Sequence, residues 1–210
     1  MHYSVLVIGE NPLEQLAPFQ EENEEFMEFS TECTNNEMVT EFEGNDNYDD
    51  FDEYVEDCGY VQEGDNWGFM TNPNGKWDWY QLGGRWKNSF ALKDGADGLS
   101  GEGSMISPIE SKKGYVDSAL KGDIDFFKMM EEEMELAKKH WMQAKTADVN
   151  KRNWKYGIGK DTTIEEYISP KDFSAYAVLY NGEWMEEVNT MEIIEGLSDD
   201  TRLSVYDIHS

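Results

Sequence analysis

No lysine or arginine occurs in the first 75 residues; the first is Lys76. Over the 210-residue chain 17 basic residues stand against 45 acidic ones, a formal net charge of -28. A field of that sign repels phosphate backbones and anionic lipid, so neither direct nucleic-acid binding nor membrane attachment is expected. Cysteine is scarce: Cys33 and Cys58 lack the CxxC spacing of a zinc or thioredoxin-type motif. Two thiols in a chain without an export signal read as reduced and cytosolic. Three histidines are too few for a convincing metal site. The opening MHYSVLVIGENP lacks a basic n-region, and its apolar run is too short for a signal peptide or a membrane span. Gly-rich phosphate motifs are missing as well, because GLSGEGS follows no clear strand and matches neither the P-loop nor the dinucleotide pattern. No metal and no cofactor are therefore expected.

What the chain does contain is enough apolar bulk for a core, with seven Trp and eleven Tyr. Tyr3–Ile8 reads as a buried first strand. Leu13, Leu16, Phe26 and Phe29 suggest a short turn and a second short helix around Pro18. Lys76–Leu92 reads as a β-hairpin about Gly83-Gly84, and Asp94–Gly114 as a long loop. Leu120, Ile124, Phe127, Met130, Met134, Ala137, Trp141 and Ala144 keep the spacing of one long helix, with that stripe packed into the core. A second hairpin about Asn181-Gly182, a short helix and a final strand Arg202–His209 close the chain. This order implies an α+β fold in a single domain, residues 1–210: a mostly antiparallel sheet, a long helix on one face, first and last strands central. Residues 30–68 are expected to be an acidic, loop-rich insertion.

The acidic run FEGNDNYDDFDEYVEDCGY is the first functional candidate. Phe51, Tyr54, Val55 and Cys58 have helical spacing, which leaves Asp46, Asp49, Asp50, Asp52, Glu53, Glu56 and Asp57 on a solvated face. The EF-hand template fails for want of a Gly at its sixth position and of a correctly placed bidentate Glu. The carboxylates are then a plain solvated segment, an array imitating the phosphates that basic grooves bind, or a divalent-ion site of another design. The second candidate is WDWYQLGGRW, where Trp77, Trp79, Tyr80 and Trp86 offer stacking faces. Arg85 there offers a planar fork, and Asp78 a partner for Arg85 or for a ligand. The alternative is that these rings fill the core. The third is Asp207 and His209, two apart on the last strand and so on one face, with His2 close by if the first and last strands pair. An Asp-oriented His is the start of a general base, or a purely structural hydrogen bond.

NPNGKWDWYQLGGRW, VDSALKGDIDF, LSDDTRLSVYDIH and the opening HYSVLVIGENPLEQLAPFQE are similar to a family of proteins encoded by bacteriophages and prophages. The resemblance covers most of the chain except Glu21–Asp65 and supplies no activity. It implies an accessory gene product acting in the cytoplasm of a bacterial host. With the charge, it implies a binding protein rather than an enzyme, one whose acidic surface engages a basic host protein such as a nuclease or defence effector. A nucleotide-binding protein or small hydrolase using Trp77, Trp79, Tyr80, Arg85 and His209 is the competing expectation.

Overall fold

The computed structural model describes residues 1–45, 47–104, 108–144, 158, 162–168 and 173–210. The chain divides into two compact units, one of Met1–Pro12 with Tyr80–His209, the other of Leu13–Trp79 with the terminal Ser210.

Strand β1 (His2–Ile8) has Val5 to Ile8 fully buried, as the apolar run implies. Helix α1 (Pro12–Leu16) starts on a proline whose fixed φ suits a first helical turn. Two single 3-10 turns follow, Ala17–Phe19 and Glu24–Phe26. The second short helix expected around Phe26 and Phe29 is instead strand β2 (Glu28–Thr34). The backbone is already extended at Met27, and β2 finds its hydrogen-bond partners in a later strand of the same unit.

Helix α2 (Asn35–Glu43) opens with a capping box in which Thr34 and Glu37 satisfy each other's backbone N–H groups. Helix α3 (Phe51–Asp57) is capped by Asp50, whose carboxylate accepts from the backbone N–H groups of Asp52 and Glu53. Strands β3 (Val61–Glu63) and β4 (Asn66–Thr71) complete an antiparallel sheet ordered β2-β4-β3. Met38, Tyr54 and Trp67 form the core of this unit, with Phe42, Phe51 and Val55 packed around them. Residues 30–68 thus hold two helices and strand pairing where a loop-rich stretch was expected.

The expected hairpin over Lys76–Leu92 does not form. Strand β5 (Trp79–Gly84) joins the large sheet, while β6 (Phe90–Ala91) pairs elsewhere. The long loop that follows carries β7 (Glu102–Gly103), which runs parallel to β5. Strand β8 (Tyr115–Val116) pairs with β6, and β9 (Ser118–Leu120) pairs with the last strand. Helix α4 (Phe126–Ala144) begins on Asp125, whose side chain accepts from the N–H of Lys128. Helix α5 (Ile164–Tyr167), β10 (Ala177–Tyr180), β11 (Glu183–Glu186), α6 (Thr190–Glu195) and β12 (Arg202–His209) follow. Asn181 and Gly182, both at positive φ, turn β10 into β11 as their sequence requires.

The large sheet has the order β11-β10-β1-β12-β5-β7, with β9 also on β12. The β1–β12 pair is antiparallel and lies at its centre, as expected from two apolar-rich terminal strands. The sheet is mostly antiparallel and is combined with helices, so the fold is α+β. The phase of α4 differs from the expected stripe. Leu120 lies in β9, and Phe126 and Met129 pack on the core of Leu6, Ile8, Phe90 and Leu203. Phe127 is 63% exposed instead. The Asp125 cap and the bridge from Leu92 to Ile124 set where the helix starts, and the start sets which face turns inward.

Candidate functional site

The second unit carries twenty acidic residues against one basic residue, Lys76. Nineteen of those carboxylates belong to described residues, and all nineteen are exposed. Asp52, Glu53, Glu56 and Asp57 lie on α3, Asp50 caps it and Asp49 precedes the cap; Asp46 lies outside the described residues. At about 1.5 Å per residue the four on the helix itself, Asp52 to Asp57, span about 7.5 Å. That is about one charge per 2 Å, close to the one per about 1.7 Å along a DNA duplex. Some of these acids also build the scaffold: Asp50 caps α3, and Asp57 accepts from the Tyr48 hydroxyl at 3.4 Å.

The scaffold is held by aromatic side chains that spend their polar atoms locally. The Tyr54 hydroxyl donates to Glu41 at 2.9 Å, and the Trp67 indole N–H donates to Asn35 at 2.9 Å. Burial and the bond to Glu41 raise the Tyr54 hydroxyl well above the ordinary tyrosine range. Burial, then the carboxylates of Glu41, Glu37 and Glu32, raise the Cys33 thiol. Both cysteines are free. The backbone N–H of Thr34 and then its hydroxyl lower Glu37, which holds that capping carboxylate ionised.

The aromatic candidates divide between the two units, Trp77 and Trp79 in the second and Tyr80 and Trp86 in the first. Trp77 is buried, and its indole N–H donates to the Leu16 carbonyl at 3.1 Å inside the second unit. Trp86 packs against the core of the first unit. Asp78, Trp79, Tyr80 and Arg85 are exposed, and the Tyr80 ring meets Tyr206 edge to face.

The histidines do come together. β1 and β12 pair so that His2 faces His209, with ring centroids 5.0 Å apart. His2 Nδ1 lies 2.8 Å from Oδ1 of Asp207, which is completely buried. The other Asp207 oxygen accepts from the backbone N–H of Arg85 at 2.9 Å. A second buried carboxylate, Asp117, was not singled out from the sequence. It accepts from the N–H groups of Ser89 at 3.1 Å and Gly101 at 2.8 Å. The signal available was a charged residue inside the apolar run YVDSAL. Gly83 and Gly84 make room for both: a Cβ would stand 2.6 Å from Asp117 Oδ2 at the first and 2.3 Å from Asp207 Cβ at the second. The Gly-Gly dipeptide therefore serves close approach of two carboxylates rather than a two-residue hairpin turn.

Among the described residues no group of three or more His, Cys, Asp or Glu side chains is arranged to hold a metal ion. None of the described helices is long and apolar enough to cross a membrane. No family model, no curated protein and no solved structure matches the chain.

Proposed function

We propose that this is a binding protein whose acidic unit occupies a basic, nucleic-acid-binding surface on a protein partner. The observation that carries the reading is that every described carboxylate of this unit is exposed, on a unit with its own core. An array held on helices and strands presents charge at fixed spacing, so little ordering entropy is lost on binding. The charge density along α3 is what a groove built for phosphates is complementary to. The resemblance to phage-encoded proteins supports a setting in the bacterial cytoplasm and a partner such as a host nuclease or defence effector.

The test is capture of partners from bacterial lysate by the tagged chain at moderate and at high salt. A variant with Asp49→Asn, Asp50→Asn, Asp52→Asn and Glu53→Gln runs beside it. The expected result is a DNA-binding protein that is released by salt, displaced by competing duplex DNA and missed by the variant. Equal capture by the variant would remove α3 from the interface, and capture insensitive to DNA would remove the phosphate-mimic reading.

A further inference from the structure

The core of the first unit opens into a cavity beside α4. Phe126, Met129, Met130 and Glu133 stand at i, i+3, i+4 and i+7, so they share one face of that helix. Phe126 and Met129 pack on the core, yet all four line a cavity of about 720 Å³. Phe173 and Met191 reach it from other segments, and they too are only half-buried. All of these residues belong to the first unit. A concave site of about 300–1,000 Å³ with an apolar lining and a few polar groups is what a small molecule occupies. The thioethers of Met129, Met130 and Met191 adapt to the shape of a guest and are favourable neighbours of aromatic rings.

Charge decides the class of guest. The lining holds one ammonium, Lys112, and two carboxylates, Glu132 and Glu133, which leaves a single negative charge. Lys112 is already engaged: it pairs with Glu132 and lies 3.6 Å from the centre of the Tyr115 ring. The Tyr115 hydroxyl donates to the same Glu132 oxygen. The bonds from Lys112 and then from Tyr115 hold the Glu132 carboxyl below the usual carboxylate range, so it stays ionised beside its ammonium. Asn88 and Ser89 are committed as well. The Asn88 side chain accepts from the backbone N–H of Lys112 and donates to the Glu110 carbonyl, and the Ser89 hydroxyl donates to the Trp86 carbonyl. Glu133 is exposed, and among the described residues it makes no ion pair. It stands one turn beyond Met129 and Met130 on the face that lines the cavity.

We propose that this cavity binds a small apolar amine, its aromatic or aliphatic body seated among Phe126, Met129, Phe173 and Met191 and its protonated nitrogen at Glu133. A carboxylate or phosphate of the same shape meets Glu133 and the field of a chain with a charge of -28, and is disfavoured. The site uses no residue of the acidic unit and does not rest on the function proposed above.

The test is titration calorimetry of the full chain near neutral pH with three probes that share one apolar body: naphthylethylamine, naphthylethanol and naphthylpropionate. The amine should bind saturably, the alcohol about fivefold more weakly, and the acid not measurably. Glu133→Gln, at an exposed position, should bring the amine down to the level of the alcohol and leave the alcohol within about twofold. Met130→Trp, at a lining position that does not pack on the core cluster, should weaken amine and alcohol alike by narrowing the cavity; its melting temperature shows that it folds. Neutralising Asp49, Asp50, Asp52 and Glu53 together should leave the amine within about twofold, which separates this site from general attraction to the acidic unit. Absence of binding by any probe, an acid that binds as tightly as the amine, or an amine affinity unmoved by Glu133→Gln would each overturn the proposal. So would loss of the amine only on neutralising the acidic unit, because it would place the ligand there.

Discussion

Asp207 and His2 meet across the pairing of the last strand with the first, Oδ1 lying 2.8 Å from Nδ1. The carboxylate is wholly buried and also takes the N–H of Arg85. Removing it leaves two donors without their acceptor, at about 1–3 kcal/mol each. Asp207→Ala is therefore expected to cost about 2–5 kcal/mol by urea denaturation. Asp207→Asn should cost less, since its amide keeps one acceptor and the imidazole can change tautomer. Equal costs for the two would assign the loss to packing.

Gly84 and Gly182 both have positive φ, +52 and +78. A Cβ at Gly182 meets nothing within 4 Å, whereas one at Gly84 falls 2.3 Å from Asp207 Cβ. Gly182→Ala should cost about 1 kcal/mol from backbone strain alone. Gly84→Ala should cost about 3 kcal/mol or more, because strand β12 must shift. Similar values would show that the buried carboxylate does not restrict β5.

Tyr206 is buried, and burial followed by the neighbouring Tyr80 pushes its hydroxyl up to about 12. Unfolded, a tyrosine ionises near 10. The folded state thus favours the neutral phenol: this contribution is fully present below pH about 10 and is lost as pH rises toward about 12. Tyr206→Phe should flatten the alkaline fall in stability over that window. A fall of unchanged steepness would place its origin in other groups.

Asp50 serves as both cap and charge. Asp50→Ala should destabilise the acidic unit by about 1 kcal/mol, while Asp50→Asn retains the cap and should stay near wild type. Binding experiments on the acidic surface are therefore read from the Asn variant. If the Asn variant unfolds as readily as the Ala variant, the ionised carboxylate at the helix start matters more than the hydrogen bond.

Salt should stabilise the acidic unit before it weakens any complex. Between about 0.01 and 0.1 M salt the screening length falls from about 30 to about 10 Å, which covers the spacing of these carboxylates. The melting temperature of the free protein should rise over that interval, and a flat response would mean that self-repulsion does not limit the fold.

Local features were readable from the residues alone. Asn181-Gly182 demands a tight turn, and the apolar run of β1 and the pattern of β12 place both strands deep in the sheet. The exposure of the carboxylates was equally legible, since burying so many without cations is prohibitively costly. That His2 would approach Asp207 was conditional on one pairing, which the structure supplies.

The remainder depended on contacts distant in sequence. Gly83-Gly84 reads locally as a hairpin turn, yet its true neighbours, Asp117 and Asp207, arrive from β-segments far along the chain. Phe126 and Phe127 stand side by side at the start of α4, and only the Asp125 cap and the sheet beneath it choose the first for the core. Charge, turn chemistry and strand periodicity act between near neighbours and so can be read along the chain. Which glycine meets which carboxylate, and which helix face remains outside, follow from packing between distant segments, which no local pattern encodes.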